Sequence, residues 1–182
     1  MTAAQHPTGH CGATADGDSP PQLDYTKVRA YWKSVRPSML GPYIMGGFGF
    51  PVGAGRFRFR GEVEAVAEAT RDLGPDVSVL DLGSGVGVWT EYFAQRFSRV
   101  VAVEASSTLY TALKDRCSPY PNVTTHNCDV LSFEPNNDSG ATEGFGLVFL
   151  GGLLMYLNDH DVSTLLHKLI PHLKPGAMVL CR

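Results

Sequence analysis

Three glycines stand two apart at Gly83, Gly85 and Gly87, and Asp81 stands just before them. They end an apolar run, Val-Ser-Val-Leu-Asp-Leu at 77–82, which reads as a buried strand. Glycine in a core strand only adds freedom to the unfolded chain. Three of them at a strand end therefore point to something that must approach the backbone closely. A helix after them offers unpaired N–H groups to an anion. Glu104 ends the next strand, 21 residues after Gly83. A carboxylate there accepts hydrogen bonds from both hydroxyls of a ribose. Asp129, within Asn-Cys-Asp-Val, closes a third strand, where its carboxylate or the neighbouring N–H groups read an adenine edge. Ligands of a parallel sheet gather at the carboxyl ends of the strands, near the switch in strand order. Together these residues describe a site for an adenosine-containing ligand.

The elements that must hold these residues follow from periodicity. Arg99–Glu104 and Phe145–Leu150 read as strands, and Asn122–Asn127 as a short one. Between them, Trp89, Tyr92, Phe93 and Phe97 recur at helical spacing, 107–117 reads as a second helix, and Val162, Leu165, Leu166, Leu169, Ile170 and Leu173 form one apolar stripe. Pro171 should kink or tighten the end of that helix, and Gly-Ala-Met-Val-Leu-Cys begins a fifth strand. Strands alternating with helices predict a parallel sheet covered on both faces and joined by right-handed crossovers. Before the sheet, 61–75 reads as a helix stopped by Gly74 and Pro75, and Arg-Phe-Arg-Phe-Arg at 56–60 alternates as a short strand does. Residues 23–36 read as a helix ended by Pro37, and 38–55, rich in glycine and aromatics, as loop or short turns.

The chain of 182 residues is long enough for one domain with a substantial core, and 43% apolar with 18% charged residues describes a soluble globular protein. A net charge of −3 argues against a nucleic-acid partner held by phosphate neutralisation. No apolar run approaches the ~20 residues that span a bilayer, so no membrane partner is expected. Residues 1–22 have the composition of a disordered tail and lack a secretory signal. Cys11, Cys117, Cys128 and Cys181 form no Cys-x-x-Cys pair and no zinc spacing, and His6, His10 and Cys11 fall in the tail, so no metal is expected and a cytoplasmic location fits.

A nicotinamide fingerprint places its third glycine one residue later, which disfavours an oxidoreductase. From residue 77 onward the phrases Leu-Asp-Leu-Gly-Ser-Gly-Val-Gly, Ala-Val-Glu-Ala-Ser, Cys-Asp-Val, Phe-Gly-Leu-Val-Phe-Leu-Gly-Gly-Leu-Leu-Met-Tyr-Leu and Leu-Lys-Pro-Gly-Ala-Met-Val-Leu follow in order. In these the chain resembles the class I S-adenosylmethionine-dependent methyltransferases. The resemblance implies an α/β fold: a Rossmann-like, doubly wound, mostly parallel sheet in three αβα layers. That family's sheet has strand order 3-2-1-4-5-7-6. The sequence stops at Arg182, inside strand five, so the expectation is a C-terminally incomplete domain that lacks the usual last two strands.

The resemblance also implies roles. Asp81 would hold the methionine amino group through water. Gly83, Ser84, Gly85 and Gly87 would pack along the methionine and ribose. Glu104 would bind the ribose diol with Ala105 beside the adenine, and Asp129 and Val130 would flank the adenine. Leu150 and Gly151 would line the pocket near the transferable methyl. Many relatives carry aspartate where Gly146 stands. The implied cofactor is S-adenosyl-L-methionine, and the implied reaction is attack of an acceptor nucleophile on the sulfonium methyl. Protein groups mainly align the two partners. Tyr156 and His160 are the candidates for proton transfer, and packing and helix initiation are the plainer roles for them.

Three expectations concern the rest. Residues 23–60 form a helical, aromatic cap in which Tyr31, Trp32, Tyr43, Phe48 and Phe50 pack on the sheet or attract a cation, and 61–182 form the cofactor-binding domain. Arg56, Arg58 and Arg60 share one face of a strand, as an anion site or a solvated face. The function is methyl transfer to a small-molecule nitrogen, oxygen or carbon nucleophile. Its alternatives are a protein N-terminal amine methyltransferase, which the Tyr-Trp and Met-Gly-Gly-Phe-Gly phrases weakly resemble, and a non-catalytic cofactor-binding or truncated regulatory protein.

Overall fold

The computed structural model describes residues 22–37, 52–135 and 144–182. The tail through Pro21, with His6, His10 and Cys11, and the segment bearing Tyr43, Phe48 and Phe50 lie outside them.

Five parallel strands form one sheet in the order β3-β2-β1-β4-β5. They are β1 (Ser78–Leu82), β2 (Arg99–Val103), β3 (Val123–His126), β4 (Phe145–Leu150) and β5 (Leu173–Cys181). Helices α1 (Tyr25–Ser34) and α2 (Val52–Ala69) precede the sheet. Helices α3 (Val88–Ala94), α4 (Ser107–Cys117) and α5 (Asp159–Leu169) connect or follow its strands. The register Leu80↔Val101 and Leu80↔Val148 lays β1 between β2 and β4, at the centre of the sheet.

Both faces of the central strands are covered, which is why they are apolar throughout rather than alternating. Leu80, Leu82, Val101, Val103, Val148 and Leu150 pack with Phe133 and with Leu165 and Leu169 of α5. On the opposite face Val79, Val100, Leu147 and Phe149 pack with Val66 of α2 and with Trp89 and Phe93 of α3. Gly146 stands where a Cβ would lie 3.0 Å from Val77 Cγ1, so glycine fits this turn of β4 tightly. Pro171 sits in a 3-10 turn, Ile170–His172, that tightens the end of α5 as expected.

The structure corrects three expectations. Arg-Phe-Arg-Phe-Arg is not a strand: residues 56–60 belong to α2, which already starts at Val52. Two residues turn a helix by about 200°, so alternating arginines fall on different sides of it. Arg58 and Arg60 instead pair with Glu62 at 2.8 Å and Glu64 at 3.0 Å, one turn on, and no shared anion site arises. The boundary drawn after Arg60 also falls inside this helix. Finally, β5 begins at Leu173 and carries Pro175 and Gly176 within it. Its pairing with β4 slips between Phe145 and Leu147, an irregularity that accommodates both residues.

Candidate functional site

The carboxyl ends of β1, β2 and β4 open into a cavity of about 810 Å³, within the size of small-molecule sites. Gly83, Gly85 and Gly87 all have positive φ, at 74°, 57° and 79°. Only glycine adopts this region without strain. The loop is pinned at its start, where Gly83 N and Ser84 N both donate to Val103 O at 2.9 and 3.0 Å. Ser84 Oγ donates to Asp81 O at 2.8 Å. A Cβ on Gly85 would meet no protein atom, so this backbone faces open space. Gly87 differs. It caps α3 outside the cavity lining, and a Cβ there would lie 2.7 Å from Leu113 Cδ1. Its glycine serves packing.

Two carboxylates line the cavity from buried positions. Glu104 follows β2 and is 7% exposed. Its Oε2 accepts from Gly85 N at 2.8 Å and its Oε1 from Ser106 N at 2.7 Å. Each oxygen keeps a further lone pair. Burial raises its pKa, and the backbone N–H groups of Ser106, Gly85 and Ala105 oppose that rise. Asp81, 1% exposed, accepts from Thr90 Oγ1 at 2.6 Å. Burial pushes its pKa up to about 7, against the pull of the Thr90 and Ser84 hydroxyls, and the nearby charge of Glu104 adds to the rise.

Asp129 lies past the end of β3 rather than in it, and its Oδ1 accepts from Leu131 N at 3.0 Å. Asn127 ties this turn to the end of β2 by donating to Glu104 O at 2.8 Å. Ala105, Asp129, Val130 and Gly151 all line the cavity. Leu150 does not: it is fully buried in the core beside Val148 and Leu165. Alternation explains this, because Phe149 points to the other face and reaches the cavity with Trp89 and Arg182. Trp89 is 3% exposed, with an indole N–H that has no hydrogen-bond partner, and Arg182 stacks over its ring at 5.8 Å while pairing with Glu62.

Tyr156 lines the cavity, and its ring meets Trp32 edge-on at 5.2 Å. Burial raises its pKa, with Tyr31 adding to the rise, so at neutral pH the phenol bears its proton. His160 is exposed at the start of α5 and is not among the lining residues. One wall belongs to α1, through Tyr25, Val28, Arg29, Trp32 and Lys33, the i, i+3, i+4, i+7, i+8 face of a helix. Trp32 O accepts from Ser106 Oγ at 3.2 Å, and Tyr25 Oη accepts from Asn158 N at 2.8 Å and donates to Asp161. Sequence reading passed over Thr90, Ser106, Asn127 and Arg29. Only Ser106 carried a signal, as a serine heading the helix after Glu104.

A model of the methyltransferase domain matches residues 79–176, more than half of the chain. The chain belongs to that family. Its sheet and flanking helices are those of the class I S-adenosylmethionine-dependent methyltransferases. The domain is 33% identical over 112 residues to ribosomal RNA small subunit methyltransferase A of Dehalococcoides mccartyi, a match covering 62% of this chain and 37% of that protein. It is 31% identical over 106 residues to phosphoethanolamine N-methyltransferase 1 of Triticum aestivum, covering 58% of this chain and 21% of that one. The chain thus spans well under half the length of these curated relatives. The structure of N-methyltransferase NodS from Bradyrhizobium japonicum in complex with S-adenosyl-L-homocysteine superimposes with a TM-score of 0.63 at 17% identity, over 85% of this chain and 70% of that one. One relative is named for RNA and another for a small molecule, so membership alone leaves the acceptor class open. No helix among the described residues is long and apolar enough to cross a membrane.

Proposed function

We propose that this methyltransferase domain binds S-adenosylmethionine at the ends of β1 to β3 and transfers its methyl group to a small-molecule nitrogen, oxygen or carbon nucleophile. The observation that carries the reading is Glu104: a buried carboxylate, held by Gly85 N and Ser106 N, with lone pairs still available toward the cavity. This is the chemistry a ribose diol requires. Asp81 supplies an acid for an ammonium group, and Gly85 leaves the room that a ligand lying on the backbone needs. When bound, S-adenosylmethionine supplies an activated methyl sulfonium, so the chain needs no strong base of its own. Its residues bind and orient: Glu104 and Asp129 hold the nucleoside, Ala105 and Val130 flank the base, and Trp32 and Tyr156 wall the acceptor side from water. Among curated relatives a phosphoethanolamine N-methyltransferase supports a small acceptor, as does the formal charge of −3, which is poorly suited to a phosphate backbone.

The test is calorimetric titration of S-adenosylhomocysteine into the chain. Binding is expected, with a loss of about tenfold to a hundredfold for Glu104→Gln, the worth of a charge-assisted hydrogen bond. Gly85→Val should abolish it while far-UV circular dichroism shows a folded protein. A folded wild-type chain that does not bind overturns the cofactor assignment. Transfer of label from S-adenosylmethionine to RNA but to no small amine, phenol or carbon acid overturns the acceptor assignment.

A further inference from the structure

The cations of the described residues are unevenly matched. Arg58, Arg60, Arg71, Arg116 and Lys168 each have a carboxylate within 3.0 Å. Helix α1 carries Lys27, Arg29 and Lys33 and has no acid in its first turn. Lys27 pairs with Asp24, the residue that caps the helix, and is not among the cavity residues. Arg29 and Lys33 do line the cavity. Among the described residues Arg29 has a bond from its Nε to Tyr25 O at 3.3 Å and a place beside the Tyr25 ring, and neither contact is with a carboxylate. Lys33 has no ion pair among the described residues. Its position in the last turn suits the helix dipole, but Arg29, mid-helix, has no such reason for its place. Four residues apart, the two stand one turn from each other on the face that looks into the cavity, and like charges at this spacing weaken a helix.

Location sets Arg29 apart from the acids of the strand ends. Side chains on a helix lean toward its N-terminus, and Arg29 packs on Tyr25, which is fixed to Asn158 and Asp161 beyond β4. Glu104 and Asp129 stand at the β2 and β3 ends. The cavity therefore has acids at the strand ends and two cations on its α1 wall, with Trp32 and Tyr156 edge to face beside the latter.

We propose that Arg29 and Lys33 form a subsite for an anionic oxygen group, carboxylate or phosphoryl, of a ligand in this cavity. This deepens the reading above by giving the ligand a charge. Such a group has two sources: the methyl acceptor itself, or the amino-acid carboxylate of the cofactor. The test uses Arg29→Gln, Lys33→Gln and, as control, Lys27→Gln, which removes the same charge from the same helix outside the cavity. All three side chains are exposed, and unchanged thermal melting will show that the fold is intact. Phosphoethanolamine is titrated by phosphorus NMR into the chain with and without S-adenosylhomocysteine, and S-adenosylhomocysteine is compared with 5′-methylthioadenosine, which lacks the amino-acid end.

The expected result is an approximately tenfold loss of phosphoethanolamine affinity in Arg29→Gln and a smaller one in Lys33→Gln, steeper at low salt, with Lys27→Gln unchanged and Arg29→Lys partly restoring binding. That outcome assigns the subsite to the acceptor. A loss for S-adenosylhomocysteine but not for methylthioadenosine assigns it to the cofactor's carboxylate. Equal binding of all probes by all variants, or a Lys27→Gln loss as large as that of Arg29→Gln, overturns the proposal. If the wild-type chain binds no S-adenosylhomocysteine, the cofactor reading fails alone, because the phosphoethanolamine titration without it still decides the subsite.

Discussion

At the strand ends, Asp81 and Glu104 are buried and bonded to the glycine loop and helix starts around them, whereas α1, another wall of the same cavity, buries none of its ten residues. The first region is continuous with the core: Thr90, which binds Asp81, is itself fully buried, and Val103, whose carbonyl holds Gly83 and Ser84, is a core residue. The second is attached at identifiable points. Val35, just past its end, packs with Val86, Val88 and Leu109, and Tyr25 and Leu23 hold Asn158 and Asp161. Disturbing the strand ends should therefore disturb folding, while disturbing α1 should loosen that helix alone and change what the cavity admits.

The largest effect tests the first half of that contrast. Gly87→Val forces a β-branched residue to φ near 79° and drives its Cβ into Leu113. Strain and overpacking together should lower stability by about 3 kcal/mol or more, read as a shifted urea midpoint.

Next comes pH. Asp81 has a folded pKa of about 7 against 3.8 unfolded, so between these values the folded state holds the extra proton. Stability should fall as pH rises from about 4 to about 7 and level off above, by an amount on the order of a few kcal/mol, with buried Glu104 acting in the same direction. Asp81→Asn should flatten much of that slope in melts at pH 5 and pH 8. Affinity for the cofactor's ammonium group should instead rise through pH 7, as Asp81 ionises.

Tyr25→Phe removes the contacts to Asn158 and Asp161 at a cost of about 1 kcal/mol, confined to α1. Amide exchange should quicken across 25–34 and stay unchanged in β1; equal quickening in both would erase the distinction between the regions. Smallest of all, Arg58→Gln breaks an exposed pair on α2 and should cost a few tenths of a kcal/mol, within the error of a melt.

What could be read from the sequence follows the same division. Residues of the strand ends announce themselves because fold and site share one signal: the apolar run that makes β1 stops where Gly83 to Gly87 begin, and Glu104 stands where β2 stops. The helix α4 was legible to its end residues because Ser106 caps it and its apolar positions repeat. Arg-Phe-Arg-Phe-Arg misled because alternation over five residues fits a strand and a helix equally. The deciding signal lay downstream, in Glu62 and Glu64 one turn after Arg58 and Arg60. Within α2 the two phenylalanines part company as a helix requires: Phe57 is 82% exposed and Phe59 packs on Trp89. The cationic face of α1 was invisible for a different reason. Tyr25, Val28 and Trp32 signal a helix, but nothing local says that its Arg29 and Lys33 will find no carboxylate among the described residues. That depends on which distant residues the fold brings near.

The loose seating of α1 bears on how such a domain changes over evolutionary time. Arg29 and Lys33 are exposed on its cavity face, unlike Trp32, which packs on the core, so a descendant can exchange either for a residue of another charge or size while every strand keeps its packing. Substitutions around Gly87 or Asp81 have no such latitude. Change in what the cavity admits thus runs through α1, one wall of that cavity, while the strand ends hold still.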